Sequence, residues 1–166
     1  MRPSERFRSL SDYWAWRAGL PADLVWRQIA AESSFNPRAV SPVGARGLLQ
    51  LMPVTAAEVN VADPLDPDQC LRGGTEYLAK QLANVKITVG PRPEVQESDL
   101  LRFALVSYNC GFGYVKVALR DLLARGLPIT WASFCEALPT ASVRGRRANT
   151  KECLPYALKI LPLGEP

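Results

Sequence analysis

No run of this chain alternates apolar and polar residues for long enough to make a confident strand, whereas apolar residues recur at helical spacing in segment after segment. Helix packing on helix is therefore the expected architecture. Pro21 suits the first turn of a helix that runs through Glu32 and stops before Pro37. Pro53 can open a second, "PVTAAEV", and Asp66 can cap a long one with Pro67 at its first position. In that long helix Leu71, Gly74, Leu78, Leu82 and Val85 trace an apolar stripe. The segment Val89 to Gln96 reads as an exposed loop. Ser98 is expected to cap "DLLRFALVSYN", Gly111 with Gly113 to break it before "YVKVALRDLLARG", and Thr130 to cap "WASFCEAL". Asn149 or Thr150 starts a last helix that ends at Ile160. The expectation is a mostly α fold of about six to eight helices, without internal repeats.

At 166 residues, 48% hydrophobic and 22% charged, the chain suits one globular domain with a substantial core. No apolar run approaches the roughly 18 residues of a membrane span, and "MRPSERFRSLSDYWAW" has charges but no hydrophobic signal core. With Met1 as the true start, the ordinary secretion route is not expected. The net charge of +4 is small and scattered. Its densest run, Arg144, Arg146, Arg147 and Lys151, reads as a solvated loop, and nucleic acid is not an expected partner.

The histidine count of zero excludes Ser-His-Asp and Cys-His catalysis and His-ligated zinc, leaving acid–base chemistry to carboxylates, Tyr or Lys. Neither a metal nor a cofactor is expected. Cys70, Cys110, Cys135 and Cys153 stand far apart with no C-x-x-C pair. Their even number permits disulfides; buried free thiols are the expectation.

One carboxylate stands out. In "LVWRQIAAESSFNP", Leu24 to Pro37, Val25, Ile29 and Glu32 fall at i, i+4 and i+7 and share one helix face. Burial and the negative end of the helix dipole both raise a carboxyl pKa, which suits a general acid. The alternative is that Glu32 turns to the rim and pairs with Arg38 or Arg46. In "SPVGARGLLQLMP", Ser41 to Pro53, the glycines allow close backbone approach and Gln50 offers an amide for sugar hydroxyl and N-acetyl groups; a tight turn followed by core leucines is the competing reading. In "SYNCG", Tyr108 and Asn109 either line a groove or end a helix.

Taken with "DPDQCLRGGTEYL", Asp66 to Leu78, and "ECLPYALKI", Glu152 to Ile160, these motifs resemble in order and spacing the catalytic domain of soluble lytic transglycosylases, relatives of goose-type lysozyme. The resemblance covers roughly Leu20 to Ile160. It implies a lysozyme-like domain with a substrate cleft over residues 20–166, preceded by an extension, residues 1–19, packed on it or leading into it. Residue by residue, it makes Glu32 the catalytic acid and Ser33 a shaper of the turn. Ser41, Gln50, Met52, Tyr108, Asn109, Glu152 and Tyr156 become substrate-binding residues. Leu49, Cys110 and Cys153 depart from the family pattern, where Met, Ala and Thr stand, and Pro155 can kink the last helix.

The implied reaction is cleavage of the β-1,4 bond between N-acetylmuramic acid and N-acetylglucosamine in peptidoglycan glycan strands. Glu32 protonates the glycosidic oxygen, then takes the proton of the sugar's 6-hydroxyl as that oxygen closes a 1,6-anhydro ring. The Tyr108 hydroxyl is expected to help hold the acid. Two alternatives stay open: a hydrolytic muramidase in which Asp63 or Asp66 activates water, and a non-catalytic wall-binding or virion protein of the same fold. The expected setting is the periplasm or cell wall, reached as a bacteriophage lysin or a virion component beside other virion proteins; a bacterial protein whose signal segment is trimmed from this sequence is the alternative.

Overall fold

The computed structural model describes residues 5–164; the first four residues of the expected extension lie outside them. Eight α-helices and one small hairpin are found among the described residues: α1 (Arg8–Ala18), α2 (Ala22–Ser33), α3 (Pro53–Glu58), α4 (Pro67–Val89), α5 (Glu97–Cys110), α6 (Phe112–Ala124), α7 (Trp131–Ala137), β1 (Ser142–Val143), β2 (Arg146–Arg147) and α8 (Thr150–Ile160). The mostly helical expectation holds. The chain divides into two compact units, Met1–Ala79 and Lys80–Pro166, with the boundary falling inside α4.

In the first unit α1 packs on α2. The turn between them is made by Gly19, whose left-handed φ of 68° lets its N–H reach back to the carbonyls of Ala15 and Trp16. Arg8 pins the pair: its guanidinium lies 3.1 Å from Asp12 and 2.9 Å from Asp23, and sits over the Trp26 ring. Pro21 is the N-cap of α2, one position earlier than the first-turn site expected of it.

The segment after α2 is a loop that folds back on itself. Arg46 and Leu51 exchange backbone hydrogen bonds of 3.0 and 2.9 Å, and the Gly47 N–H donates to the Ala39 carbonyl. This loop is pressed against the N-terminal half of α4. A Cβ built on Gly47 would lie 1.9 Å from the Pro64 carbonyl oxygen and 2.8 Å from Cys70 Sγ; one on Gly74 would lie 2.4 Å from Leu49 Cδ1. Only hydrogen fits at these contacts. Asp66 caps α4 as its sequence predicts, accepting the Gln69 N–H at 2.9 Å, and Leu71, Gly74, Leu78, Leu82 and Val85 are all buried.

In the second unit α5 is the buried centre, packed by α6, α7 and α8. Asp99 and Arg102, both buried, form an ion pair of 2.8 Å. Arg102 donates further to the carbonyls of Leu161 and Pro162 at 3.0 and 2.6 Å, while Asp99 accepts the Trp131 N–H at 2.9 Å. One charge pair thus ties α5 to the start of α7 and to the chain just past α8. Removing either partner would strand a buried charge, at a cost of about 3–5 kcal/mol. Phe103, Trp131 and Phe134 form an aromatic cluster with centroids 4.5 to 6.3 Å apart.

Two boundaries differ from the sequence reading. Gln96, not Ser98, is the N-cap of α5. Gly111, with a φ of 100°, alone breaks the chain before α6; Gly113 lies inside α6, its would-be Cβ 3.3 Å from Val143. Thr130 caps α7 in a reciprocal capping box with Ser133, and Pro155 is accommodated within α8.

The glycine contacts make a graded prediction. Gly47→Ala combines a φ of 78° with a backbone clash and is expected to destabilise the protein by roughly 3 kcal/mol or more. Gly126→Ala has a φ of 65° but open space around it, so its expected cost is about 1–2 kcal/mol. Urea unfolding of the two variants side by side checks the order.

Candidate active site

In the first unit, Glu32 occupies the last turn of α2 and is half-buried. Two successive left-handed residues, Ser34 (φ 50°) and Phe35 (φ 63°), turn the chain away immediately afterwards. Phe35 comes back to pack on Trp26 with ring centroids 4.5 Å apart. Ser33 directs its hydroxyl to the Ile29 carbonyl at 3.2 Å, so it acts on the helix end itself. The carboxylate is thus carried on regular helix with an anchored exit.

The loop 39–51 is held by the very residues expected to meet sugar. The Ser41 hydroxyl accepts the Ala45 N–H at 3.0 Å. Gln50 adopts a φ of 47°, and its Nε2 donates to the carbonyls of Ala39 at 3.2 Å and Gly47 at 3.0 Å. The amide nitrogen of Gln50 is therefore committed to the loop, and its oxygen is the part available to another donor. Met52, 40% exposed, presents its thioether just before α3.

Cys70 lies beneath this loop. Its sulfur accepts the Leu49 N–H at 3.4 Å. Burial pushes the thiol up to about 11; the backbone bonds from Leu49 and Leu48 pull it down, and the charges of Asp66 and Glu32 raise it further. Glu32 is therefore in electrostatic reach of Cys70, on which the loop rests. From sequence alone Cys70 reads only as a buried thiol; its place four residues after the helix cap is the available signal.

The two carboxylates weighed as water activators have structural duties. Asp63 accepts the Leu65 N–H at 2.9 Å, and Asp66 is the α4 cap. A cavity of about 360 Å³ in this unit is lined by Trp14, Arg17, Arg72 and Glu76 among others, and another of about 290 Å³ by Arg46, Leu51, Pro53 and Pro64. Neither includes an expected site residue.

In the second unit, Tyr108 and Asn109 are half-buried in the last turn of α5. Glu152 is exposed in the first turn of α8 and accepts the Asn149 side-chain N–H at 2.9 Å. Tyr156, four residues on, shares its helix face and is half-buried. α5 packs on α8, and the Cys110 and Cys153 thiols are neighbours, which brings the end of α5 and the start of α8, and so these four residues, into one neighbourhood. The basic run Arg144 to Arg147 forms an exposed hairpin turn.

The fold that carries these residues is that of the lytic transglycosylases. The lytic transglycosylase Slt of Pseudomonas aeruginosa, solved as an inactive mutant, superposes with a TM-score of 0.66 at 24% identity, covering 93% of this chain and 23% of that one. The 70 kDa soluble lytic transglycosylase of Escherichia coli does so with a TM-score of 0.64 at 24% identity, covering 94% of this chain and 23% of that one. The chain belongs to the family described as "Transglycosylase SLT domain", whose family model matches residues 9–123. That segment contains Glu32, Ser41, Gln50, Met52, Tyr108 and Asn109; Glu152 and Tyr156 lie beyond it. Among relatives, the membrane-bound lytic murein transglycosylase F of Vibrio cholerae is 41% identical over 71% of this chain and 22% of its own length. The protein of the same name from Vibrio campbellii is 43% identical over 69% and 21% respectively. The chain thus spans about a fifth of the length of these relatives. Among the described residues, no helix is long and apolar enough to cross a membrane.

The raised Cys70 pKa gives a measurable consequence. At pH 8.5 its thiolate fraction in the folded protein is far below that of an unperturbed cysteine, because the neutral form is favoured up to about pH 11. Alkylation by iodoacetamide, followed by peptide mass spectrometry, is expected to label Cys70 at least tenfold more slowly in the native protein than in urea.

Proposed function

We propose that this chain is a peptidoglycan lytic transglycosylase domain. It cleaves the β-1,4 bond between N-acetylmuramic acid and N-acetylglucosamine and leaves a 1,6-anhydromuramyl end. The observation that carries the reading is Glu32: a half-buried carboxyl in the last turn of α2, inside the segment that matches the family, in a chain with no histidine. A single carboxyl suffices for the chemistry. Glu32 in its protonated form gives its proton to the glycosidic oxygen as positive charge develops at the anomeric carbon. The resulting carboxylate then removes the proton of the 6-hydroxyl, whose oxygen bonds to that carbon. The commitments of Asp63 and Asp66 to turn and cap favour this route over one with an activated water.

Ser41, Gln50 and Met52 in the first unit, and Tyr108, Asn109, Glu152 and Tyr156 in the second, are the proposed substrate-binding residues. Ser41 and Gln50 act through the loop they hold, with the Gln50 amide oxygen left to accept from the sugar. The working domain is proposed to span residues 20–166, with residues 1–19 packed on it or leading into it.

Mass spectrometry of muropeptides released from purified peptidoglycan tests the reaction. Wild type is expected to release anhydro ends, and Glu32→Gln to reduce that release at least a thousandfold, since the amide cannot deliver the proton. Hydrated reducing ends from wild type would make the chain a lysozyme instead, and no release a binding protein. Delivery from a bacteriophage, as a lysin or beside other virion proteins, is the finer part of the proposal. Detection of the chain in purified particles or phage lysates supports it; detection only in the envelope of uninfected bacteria overturns it.

A further inference from the structure

Glycan cleavage does not use the pair of thiols at the junction of α5 and α8. Cys110 is the last residue of α5 and half-buried; Cys153 is the fourth residue of α8 and fully buried. The helices that carry them pack on each other, and the two thiols are neighbours, each the largest influence on the other's titration. Their settings are opposed. Cys153 is pulled below the ordinary thiol value first by Cys110, and also by the backbone N–H groups of Cys153 and Leu154 in the first turns of a helix, against the opposing effects of its burial and the Glu152 charge. Cys110, at the carboxyl end of its helix, is pushed up by its neighbour Cys153 and by burial, and keeps its proton.

We propose that Cys110 and Cys153 form an oxidative modification site, a dithiol that a peroxide converts to a disulfide. The Cys153 thiolate attacks one peroxide oxygen; the O–O bond breaks, and the departing hydroxide takes up a proton to become water. Cys153 is now a sulfenic acid. Cys110 loses its proton and attacks Cys153 Sγ, the S–O bond breaks, and a second water leaves. Two thiols have lost two hydrogens and one peroxide has become two waters. A peroxide is small enough to reach a buried sulfur, and the partner thiol is its neighbour, which favours closure over further oxidation.

The other cysteines are set up differently. Cys135 on α7 feels the charge of Cys153 but makes no hydrogen bond to it, and burial followed by the charge of Asp99 pushes it up to about 11. Cys70 is engaged with Leu49 in the first unit. The new bond would join the residue after Asn109 to the residue after Glu152. It would close a loop of about forty residues and restrict the unfolded chain accordingly. Any effect on glycan release rests on the function proposed above, but the bond itself does not.

The test uses the full chain, purified under reducing conditions, freed of reductant and treated with a few equivalents of hydrogen peroxide. The expected result is a loss of two hydrogens by intact mass, a Cys110–Cys153 cross-linked peptide in a digest, and a melting temperature raised by about 5 °C. Dithiothreitol reverses all three. Cys135→Ser is expected to keep the behaviour, and Cys110→Ala and Cys153→Ser each to abolish it while retaining a native circular dichroism spectrum. An unchanged mass, oxygen addition without cross-linking, or a Cys135–Cys153 link would each overturn the proposal, and wild-type peptide mapping decides this even where a variant fails to fold.

Discussion

The first unit is built around a contact with no room for a methyl group. Where Gly47 meets Pro64 and Cys70, and Gly74 meets Leu49, backbone and core side chains approach as closely as van der Waals radii permit. That approach fixes the height of the loop 39–51 over α4. Ser41 and Gln50 then only have to hold the loop's shape, through hydrogen bonds to its own backbone, and Met52 is delivered at its exit. Glu32 is placed by independent means, a helix packed on α1 and stopped by two left-handed residues. Glu32 and the loop thus owe their positions to different contacts, with Cys70 sensing both.

The second unit solves the same problem with charge. Two segments meet α5 at Asp99 and Arg102: the start of α7 gives that pair a hydrogen bond and the chain after α8 accepts two from it. A buried ion pair adds little net stability over a well-packed apolar replacement, but its hydrogen bonds are directional. Leucines could fill the same volume without specifying which carbonyl of the chain after α8 should dock there. The aromatic cluster beside it supplies the apolar burial that the ion pair lacks.

Most of the helical layout was legible because it rests on local chemistry: proline at helix starts, Asp66 and Thr130 as caps, Gly111 as a break, and a stripe in α4 written at helical spacing. What was not legible depends on partners distant in sequence. Ser98 has the chemistry of a cap, yet the helix begins two residues earlier than that cap requires, with Gln96 in extended backbone. Gly113 reads as a breaker and is instead helical under Val143. The hairpin Ser142 to Arg147 has strands of two residues each, too short for any periodicity, and its turn residues Arg144 and Gly145 supply the positive φ values. At the site, residue types pointed to Glu32 and Gln50, but only three dimensions reveal that the Gln50 amide nitrogen is already spent on Ala39 and Gly47. The same holds for Cys110 and Cys153, which lie far apart in the chain and meet through helix packing.

The tight seat of Gly47 also bears on how this sequence can drift. Any single-nucleotide change that alters a glycine codon introduces a β-carbon or a stop, so every coding step away from Gly47 meets the Pro64 carbonyl. In a saturation library scored by folded yield, position 47 would be as intolerant as a central core residue, whereas Gly126, with open space around it, would tolerate more. Tolerance profiles of this fold therefore map its steric seams together with its chemistry, and a purifying signal at such a glycine speaks of clearance and backbone conformation.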